Sequence, residues 1–349
     1  MNRIEKSIRR KDESELYFWF TTTKNSTDRL MSKIAKCVDN TPKDRYQIRN
    51  WSSYNTALKN RGSLTLWIAE DCQDWWYDDG PVQRGGQYEY SDQCIECLLM
   101  LKVVFRLAYR QTQGFAESIL ELLGLDLITP SYSQINRRAR DCDIDLEVPA
   151  NGSIHLVADS TGLKVFGEGE WKVRKHGYSK RRTWRKLHLG VDENTGMIHA
   201  ICLTKNDVDD AELVEDMLDQ VQVPVDTFSG DGAYDKSKCW DVLRERLIKP
   251  NIPPQENAVY WLDEHGDMLD HPRNQILAHI DLFGRKAWKQ NCGYHRRSLS
   301  ETAMFRFKTI FGNKLYSRDF NRQRTEAQIK TKALNTMTAQ GMPISLKVA

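Results

Sequence analysis

Short apolar runs, divided by turns and amphipathic stretches, set what the second half of this chain can fold into. Ser153-Ile-His-Leu-Val-Ala158 is nearly continuous in apolar residues and stops at Asp159-Ser160-Thr161. Trp184 to Val191 and Met197 to Thr204 flank Asp192-Glu-Asn-Thr-Gly196, a strong hairpin signal. Val225 to Ser229 is another short strand and runs into Gly230-Asp231-Gly232. Asp209 to Val221 and a stretch from Asp235 or Ser237 to Leu247 have helical spacing, and Asn251-Ile-Pro-Pro254 ends a further strand. From about Asn274 the pattern is helical again. Strand, hairpin, helix, strand, helix, strand, helix predicts an α/β domain over 149–345, a mixed sheet with helices on its faces.

The first half reads differently. Residues 1–45 form a polar leader with weak periodicity, expected to be flexible or poorly packed. A short helix runs from Trp51 to Gly62 with Ser52 or Ser53 as N-cap, and Leu64-Thr-Leu-Trp-Ile68 follows as a strand-like or buried segment. An acidic, Trp-rich stretch then leads to a linker at Arg84-Gly-Gly-Gln87. Ile95, Leu98, Leu99, Val103 and Leu107 recur at helical spacing between Ser91 and Tyr109. Gln113 to Leu123 is a second helix closed by Gly124, and Thr129-Pro130-Ser131 starts a third that carries Arg137, Arg138 and Arg140. These three helices suggest a helix-turn-helix-like segment, 91–140, inside a helical DNA-binding region, 46–148. A small bundle with arginines on one face fits the same pattern.

The net charge is only +3, but it is unevenly placed. Lys164 to Lys186 holds nine Lys or Arg against two acids, and Arg285 to Lys330 holds twelve against three. Such local excesses fit a docked polyanion, or solvated basic faces. No apolar run reaches the roughly 18 residues of a membrane span. The charged start, Met1 to Lys11, lacks a secretory signal's apolar core, so a cytoplasmic location is expected. Eight cysteines are scattered, and Cys94-x2-Cys97 has no second pair at zinc spacing, which favours a shared helix face and reduced thiols.

Asp159 and Asp231 both follow apolar strands, at the edge where open α/β sheets bind ligands. A third acid lies in Tyr294-x2-Arg297-x3-Glu301-x6-Lys308. At about 100° per residue these four fall within roughly 60° of a helix, one polar stripe beside an apolar face of Leu299, Ala303, Met304, Phe307, Ile310 and Phe311. Taken singly, each Asp also fits a turn or cap, and Arg297–Glu301 a surface ion pair. Together, three carboxylates are an oxygen-only set suited to two hard divalent ions, Mg²⁺ with Mn²⁺ as substitute. The flanking basic segments then make the substrate a nucleic-acid phosphodiester. Asp192, Asp207, Asp209, Asp210 and Asp235 read as turn, loop or cap residues.

Asp159-Ser160-Thr161, Asp231-Gly-Ala-Tyr and the Tyr294–Lys308 signature, in this order, resemble the DDE transposases of bacterial insertion sequences. The run Thr161 to Val173, Trp184-Arg-Lys-Leu-His-Leu189 and the closing Ala333-Leu-Asn335-x-Met337-x3-Gly-Met-Pro343 look like insertion-sequence family five, the branch with the Tyr-Arg-Glu-Lys signature. The likeness spans roughly residues 45–345. It implies a ribonuclease-H-like catalytic domain, with Asp159, Asp231 and Glu301 as metal-holding catalytic acids. It implies binding to terminal inverted repeats, cleavage at the element ends and joining of the 3′-hydroxyl to target DNA, by a homodimer or larger assembly. Tyr294, Arg297 and Lys308 would contact phosphates near the cut.

Lys172, Arg174, Lys175, Arg181 and Arg182 would grip DNA beside the site, and Arg137 and Arg138 would meet element ends. Phe166, Trp171 and Trp184 suit stacking on an unpaired base, although Trp184 equally suits burial. A ribonuclease-H-like nuclease that cuts without joining, or a DNA-binding regulator with this fold and no catalysis, are the alternatives.

Overall fold

The computed structural model describes residues 45–69, 71–81, 84–85, 87–146, 148–149, 152–165 and 183–348. The polar leader and the basic segment 166–182, with Lys172, Arg174, Lys175, Arg181 and Arg182, lie outside these residues. The chain divides into two compact units, residues 52–342 and a smaller one made of the two ends, 1–51 and 343–349. In the smaller unit β1 (Arg45–Ile48) pairs antiparallel with a strand at Ser345–Val348.

In the larger unit the first half is helical. Helix α1 (Trp51–Asn60) and a 3-10 turn at Leu64–Leu66 precede Trp67 and Ile68, both buried. Of the two readings of 64–68, strand-like or buried, the second holds: it is a turn that plugs two side chains into the core. After α2 (Cys72–Trp75) come α3 (Asp92–Val104), α4 (Tyr109–Leu122) and α5 (Tyr132–Arg138). Ser91 caps α3 through the Cys94 N–H, and Ser131 with Gln134 forms a capping box on α5. The cysteines of Cys94-x2-Cys97 are both buried in α3, and burial pushes the Cys97 thiol up to about 12.

The second half follows as β2 (Ile154–Val165), β3 (Trp184–Asp192), β4 (Ile198–Lys205), α6 (Val214–Asp219), β5 (Val225–Ser229), α7 (Ser237–Glu245) and β6 (Lys249–Asn251). The helical region expected from about Asn274 consists of three helices: α8 (Pro272–Phe283), α9 (Arg285–Asn291) and α10 (Ser298–Phe311). Gly284, at φ +84, ends α8 in a conformation side chains resist. Two-residue β7 (Lys314–Leu315) and α11 (Phe320–Ala339) complete the unit, and the strand at Ser345–Val348 is β8.

The sheet order is β4-β3-β2-β5-β6, with β7 also pairing β2. β2, β3 and β4 form an antiparallel meander, whereas β5 and β7 run parallel to β2 and β6 runs parallel to β5. This is the mixed sheet expected. One face packs Leu156, Ala158, Ala200 and Phe228 on α6 and α7. The other packs Leu187, Leu189, Val191 and Leu203 on α10 and α11, in a core that also contains Ile95, Leu98 and Leu101 of α3, Ile119 of α4 and Ile135 of α5. The change of pattern near residue 149 is thus a change of secondary structure within one core. Asn335 of α11 fastens this layer: its side-chain amide receives Ile198 N–H at 2.9 Å and donates to Ile198 O at 2.8 Å.

Candidate active site

Asp159 does not end its strand. Ser160, Thr161 and Gly162 stay paired with β3, so the carboxylate sits mid-strand on β2. What ends beside it is the parallel neighbour. β5 pairs with β2 only as far as Val157↔Ser229, and β7 takes up the same edge at Lys164↔Lys314. Asp159 stands in the gap between them, two residues past the last β5 pair. Asp231 stands two residues past Ser229. Parallel register therefore carries both acids past the same ladder end, where a split sheet edge can admit a ligand.

Asp231 also caps a 3-10 turn at Gly232–Tyr234 through the Ala233 N–H at 2.9 Å, so its cap role and its place at the site coexist. Gly230 permits this turn. A Cβ there would come within 2.6 Å of the Tyr234 ring.

The third acid arrives from above. Ala303, Met304, Phe307 and Phe311 bury one face of α10. Tyr294 and Arg297 lie on a 3-10 turn, Tyr294–Arg297, just ahead of α10, not on one continuous helix with Glu301. Arg297 is the linchpin. Its guanidinium lies 3.6 Å from Asp159 Oδ2 and 2.8 Å from Glu301 Oε1. The Ser160 N–H donates to Asp159 Oδ1 at 2.8 Å. Burial raises the Asp159 pKa, the Ser160 N–H and Arg297 oppose this, and the charges of Asp231 and Glu301 raise it further. Burial likewise pushes the Tyr294 phenol up to about 12, with Asp231 and Asp159 adding to the shift and Arg297 opposing it. Tyr294 packs on Trp288 at 5.6 Å between ring centroids. Lys308 donates to Thr161 Oγ1 on β2, and burial lowers its pKa.

Among the described residues, no three acid, His or Cys side chains converge tightly enough to cage an ion. Glu301 is turned toward Arg297, with its side chain 59% exposed. The chemistry of the three acids nevertheless suits a hard divalent cation: all are carboxylates, and Asp159 is destabilised by its neighbours' charge unless a cation intervenes. A guanidinium supplies that cation here.

A network that the sequence did not reveal holds the Tyr294–Arg297 turn in place. Arg296 Nε lies 2.7 Å from Glu193, a buried acid of the β3–β4 hairpin, and Glu193 also accepts from His155 Nδ1 on β2. Burial lowers the His155 pKa, against the pull of Glu193, and its Nε2 hydrogen-bonds with Ser229 Oγ at 2.7 Å. Asn251 Nδ2 donates to Ser229 at 2.9 Å and to Cys292 O at 3.4 Å. Hairpin turn chemistry concealed Glu193, since Asp192 beside it fully explains that turn.

Other expected residues divide. Arg137 is exposed on α5. Arg138 is corrected: it is 8% exposed, donates to Asp92 at 2.6 Å and to Tyr90 O at 2.8 Å, and so fastens α5 to the start of α3 instead of facing DNA. Trp184 lies over Gly162 on the paired strand, half-buried. Asp192 and Asp209 are turn and cap residues as expected. Asp235 is the C-cap of the Gly232–Tyr234 turn and is also buried against Arg273 at 2.7 Å, and Asp210, in the first turn after its cap, is buried against Lys186 at 2.8 Å and His188 at 3.0 Å.

Two models of the transposase DDE domain match the sequence, one over residues 59–168 and one over 150–336. Distant solved structures include a piggyBac transposase synaptic complex with hairpin DNA (9% identity, 80% of this chain, 73% of that one, TM-score 0.37). Others are a Drosophila P element transposase strand transfer complex (11%, 82% and 85%, 0.29) and the Mos1 mariner paired end complex with Mn (11%, 95% and 98%, 0.19). The longer family match covers more than half of the chain and contains Asp159, Asp231 and Glu301. On that match, joined to a sheet that opens beside two aligned aspartates, the chain belongs to the transposase DDE domain family and is a DNA transposase.

Proposed function

We propose that Asp159, Asp231 and Glu301 are the catalytic acids of an insertion-sequence transposase of the Tyr-Arg-Glu-Lys branch, resembling family five. The enzyme binds the terminal inverted repeats of its element, cuts at the ends and joins the freed 3′-hydroxyl to target DNA. The observation that carries this reading is the register that sets Asp159 and Asp231 side by side past Val157↔Ser229, with Arg297 bridging Asp159 to Glu301.

Both reactions are in-line displacements at phosphorus, so one site serves hydrolysis and strand transfer. Two divalent ions, Mg²⁺ with Mn²⁺ as substitute, would be held by the three carboxylates and supply activation of the attacking hydroxyl and stabilisation of the leaving oxygen. The chain's own residues position the strand. Arg297 forks onto a phosphate once it leaves the carboxylates, and Lys308, fixed by Thr161, supplies a point charge. Tyr294 packs beside them and limits water. Arg137, the helices 91–140 read as helix-turn-helix-like, and the basic segment with Lys172, Arg174, Lys175, Arg181 and Arg182 extend the DNA contact. Two ends are paired by a homodimer or a larger assembly.

The test is a supercoiled plasmid carrying the gene with its native flanks, incubated with protein in Mg²⁺, Mn²⁺ or chelator. Wild type yields breaks at both flanks and joined products only with metal. Asp159→Asn, Asp231→Asn and Glu301→Gln retain binding to the flanks and yield neither. Cleavage that survives Glu301→Gln, or metal-independent breaks, would remove the carboxylate triad from the chemistry.

A further inference from the structure

Where α3 meets α4, beside the C-terminus of α10 and the middle of α11, lies a cavity of about 480 Å³, inside the range of roughly 300–1,000 Å³ typical of small-ligand sites. It shares no lining residue with the carboxylate site. Tyr109 and Tyr316 form aromatic walls, and Lys102, Arg106 and Lys330 face it against one acid, Glu326.

That acid is already saturated. Glu326 takes Lys330 Nζ at 2.7 Å and accepts the Tyr316 and Ser317 backbone N–H groups at 3.0 and 2.8 Å. Lys102 is different. It is half-buried, its Nζ sits 4.8 Å from the Tyr109 ring centroid, and among the described residues it forms no ion pair. Burial lowers its pKa and the Lys330 charge adds to this, outweighing the opposing charge of Glu326. Arg106 is exposed at the rim in the left-handed region, φ +56, and donates to Ile310 O at 2.6 Å at the end of α10. Arg318 is exposed close by in sequence to Tyr316 and Ser317.

We propose that this cavity binds a nucleotide unit, with the base against Tyr109 and Tyr316 and the phosphate on Lys102 and Arg106. Cations beside aromatic faces suit a ligand that is planar at one end and anionic at the other. A bare inorganic anion leaves the aromatic walls unused, and an apolar ligand leaves Lys102 desolvated and unpaired. The nucleotide could come free from solution or be one residue of a DNA strand. Both share this chemistry.

Calorimetric titration of the full chain separates the sources. The probes are deoxyadenosine 5′-monophosphate, thymidine 5′-monophosphate, inorganic phosphate and a short single strand of DNA. A mononucleotide binds at least about tenfold more tightly than phosphate, and Lys102→Met and Tyr316→Ala each weaken it at least about tenfold. Tyr316 is 57% exposed, so its truncation leaves the fold intact, as a thermal melt would verify. Asp159→Asn leaves nucleotide binding unchanged, which keeps the site separate from the carboxylates. Binding of the strand alone, with the same two losses, assigns the nucleotide to DNA. No binding of any nucleotide probe, or binding indifferent to either substitution, overturns the proposal. No step of this test requires cleavage, so its failure leaves the catalytic reading standing.

Discussion

Arg297 joins two acids on different elements: its guanidinium lies 3.6 Å from Asp159 on β2 and 2.8 Å from Glu301 on α10. In this arrangement the arginine occupies the electrostatic role of a divalent cation. A metal held by these carboxylates, as proposed, would compete with the guanidinium for the same negative charge.

The first prediction follows from that competition. Arg297→Gln leaves Asp159 and Glu301 without their local cation, and the metal-free fold loses only about 0.2–1 kcal/mol, since the Glu301 partner is exposed. Mn²⁺ then raises the melting temperature of the variant by more than it raises that of wild type, while cleavage of element ends falls. Equal metal-induced shifts in the two proteins would show that Arg297 and metal do not share a place.

Glu193→Ala strips Arg296 and His155 of a buried acceptor. Urea unfolding should show a loss of about 1–3 kcal/mol. Cleavage should slow by about tenfold with flank binding kept, because the turn that carries Tyr294 and Arg297 is no longer tied to the sheet. Unchanged unfolding and cleavage would mean that the turn is held by α10 alone.

Gly230→Ala places a methyl group 2.6 Å from the Tyr234 ring. The turn that aims Asp231 must shift, at a cost of about 1–3 kcal/mol typical of overpacking. Near-ultraviolet dichroism of the displaced tyrosine and the loss of cleavage should appear together. Full activity would show that the Asp231 turn has slack.

The buried pair Glu326–Lys330 sets an acid limit on stability. Burial pushes the Glu326 pKa up, but Lys330 and the Tyr316 and Ser317 N–H groups outweigh it, and the net shift is downward. A carboxyl depressed in the folded state adds stability above its ordinary unfolded value. That stability is lost as pH falls from there through the depressed value. Glu326→Gln should remove this part of the acid slope and, at neutral pH, cost about 3–5 kcal/mol by leaving Lys330 buried and unpaired. Urea midpoints measured across the acid range decide it.

Neutralising Lys175, Arg181 and Arg182 together should weaken DNA binding. It should also flatten the plot of log affinity against log salt by up to about 2.7, at roughly 0.9 per phosphate contact. An unchanged slope would take these three residues out of the interface.

Much of this fold was legible because its strands are apolar and its turns chemically explicit. The hairpin around Asp192–Gly196, the strand before Asp231 and the capped helices α3 and α5 are where the pattern puts them. Asp159-Ser160-Thr161-Gly162 misled, since polar residues and a glycine look like a strand end. Here they continue one, with Ser160 bonded to buried Asp210 and Gly162 under Trp184. Arg138 misled for a related reason, because an arginine's spacing does not say whether a buried carbonyl and Asp92 await it. Glu193 and His155 gave no signal, being joined to Arg296 only through contacts far apart in sequence.

The continuation of β2 past Asp159 has a dimensional meaning. Six residues separate Asp159 from Val165, where the strand ends and the basic segment begins, and at about 3.3 Å per residue that is about 20 Å. A duplex rises by the same length in about six base pairs at 3.4 Å each. The strand is a rigid ruler, braced on one side by β3 and at its far end by β7. It fixes the interval between the Asp159 carboxylate, proposed to serve the cut, and the end of β2 at Val165.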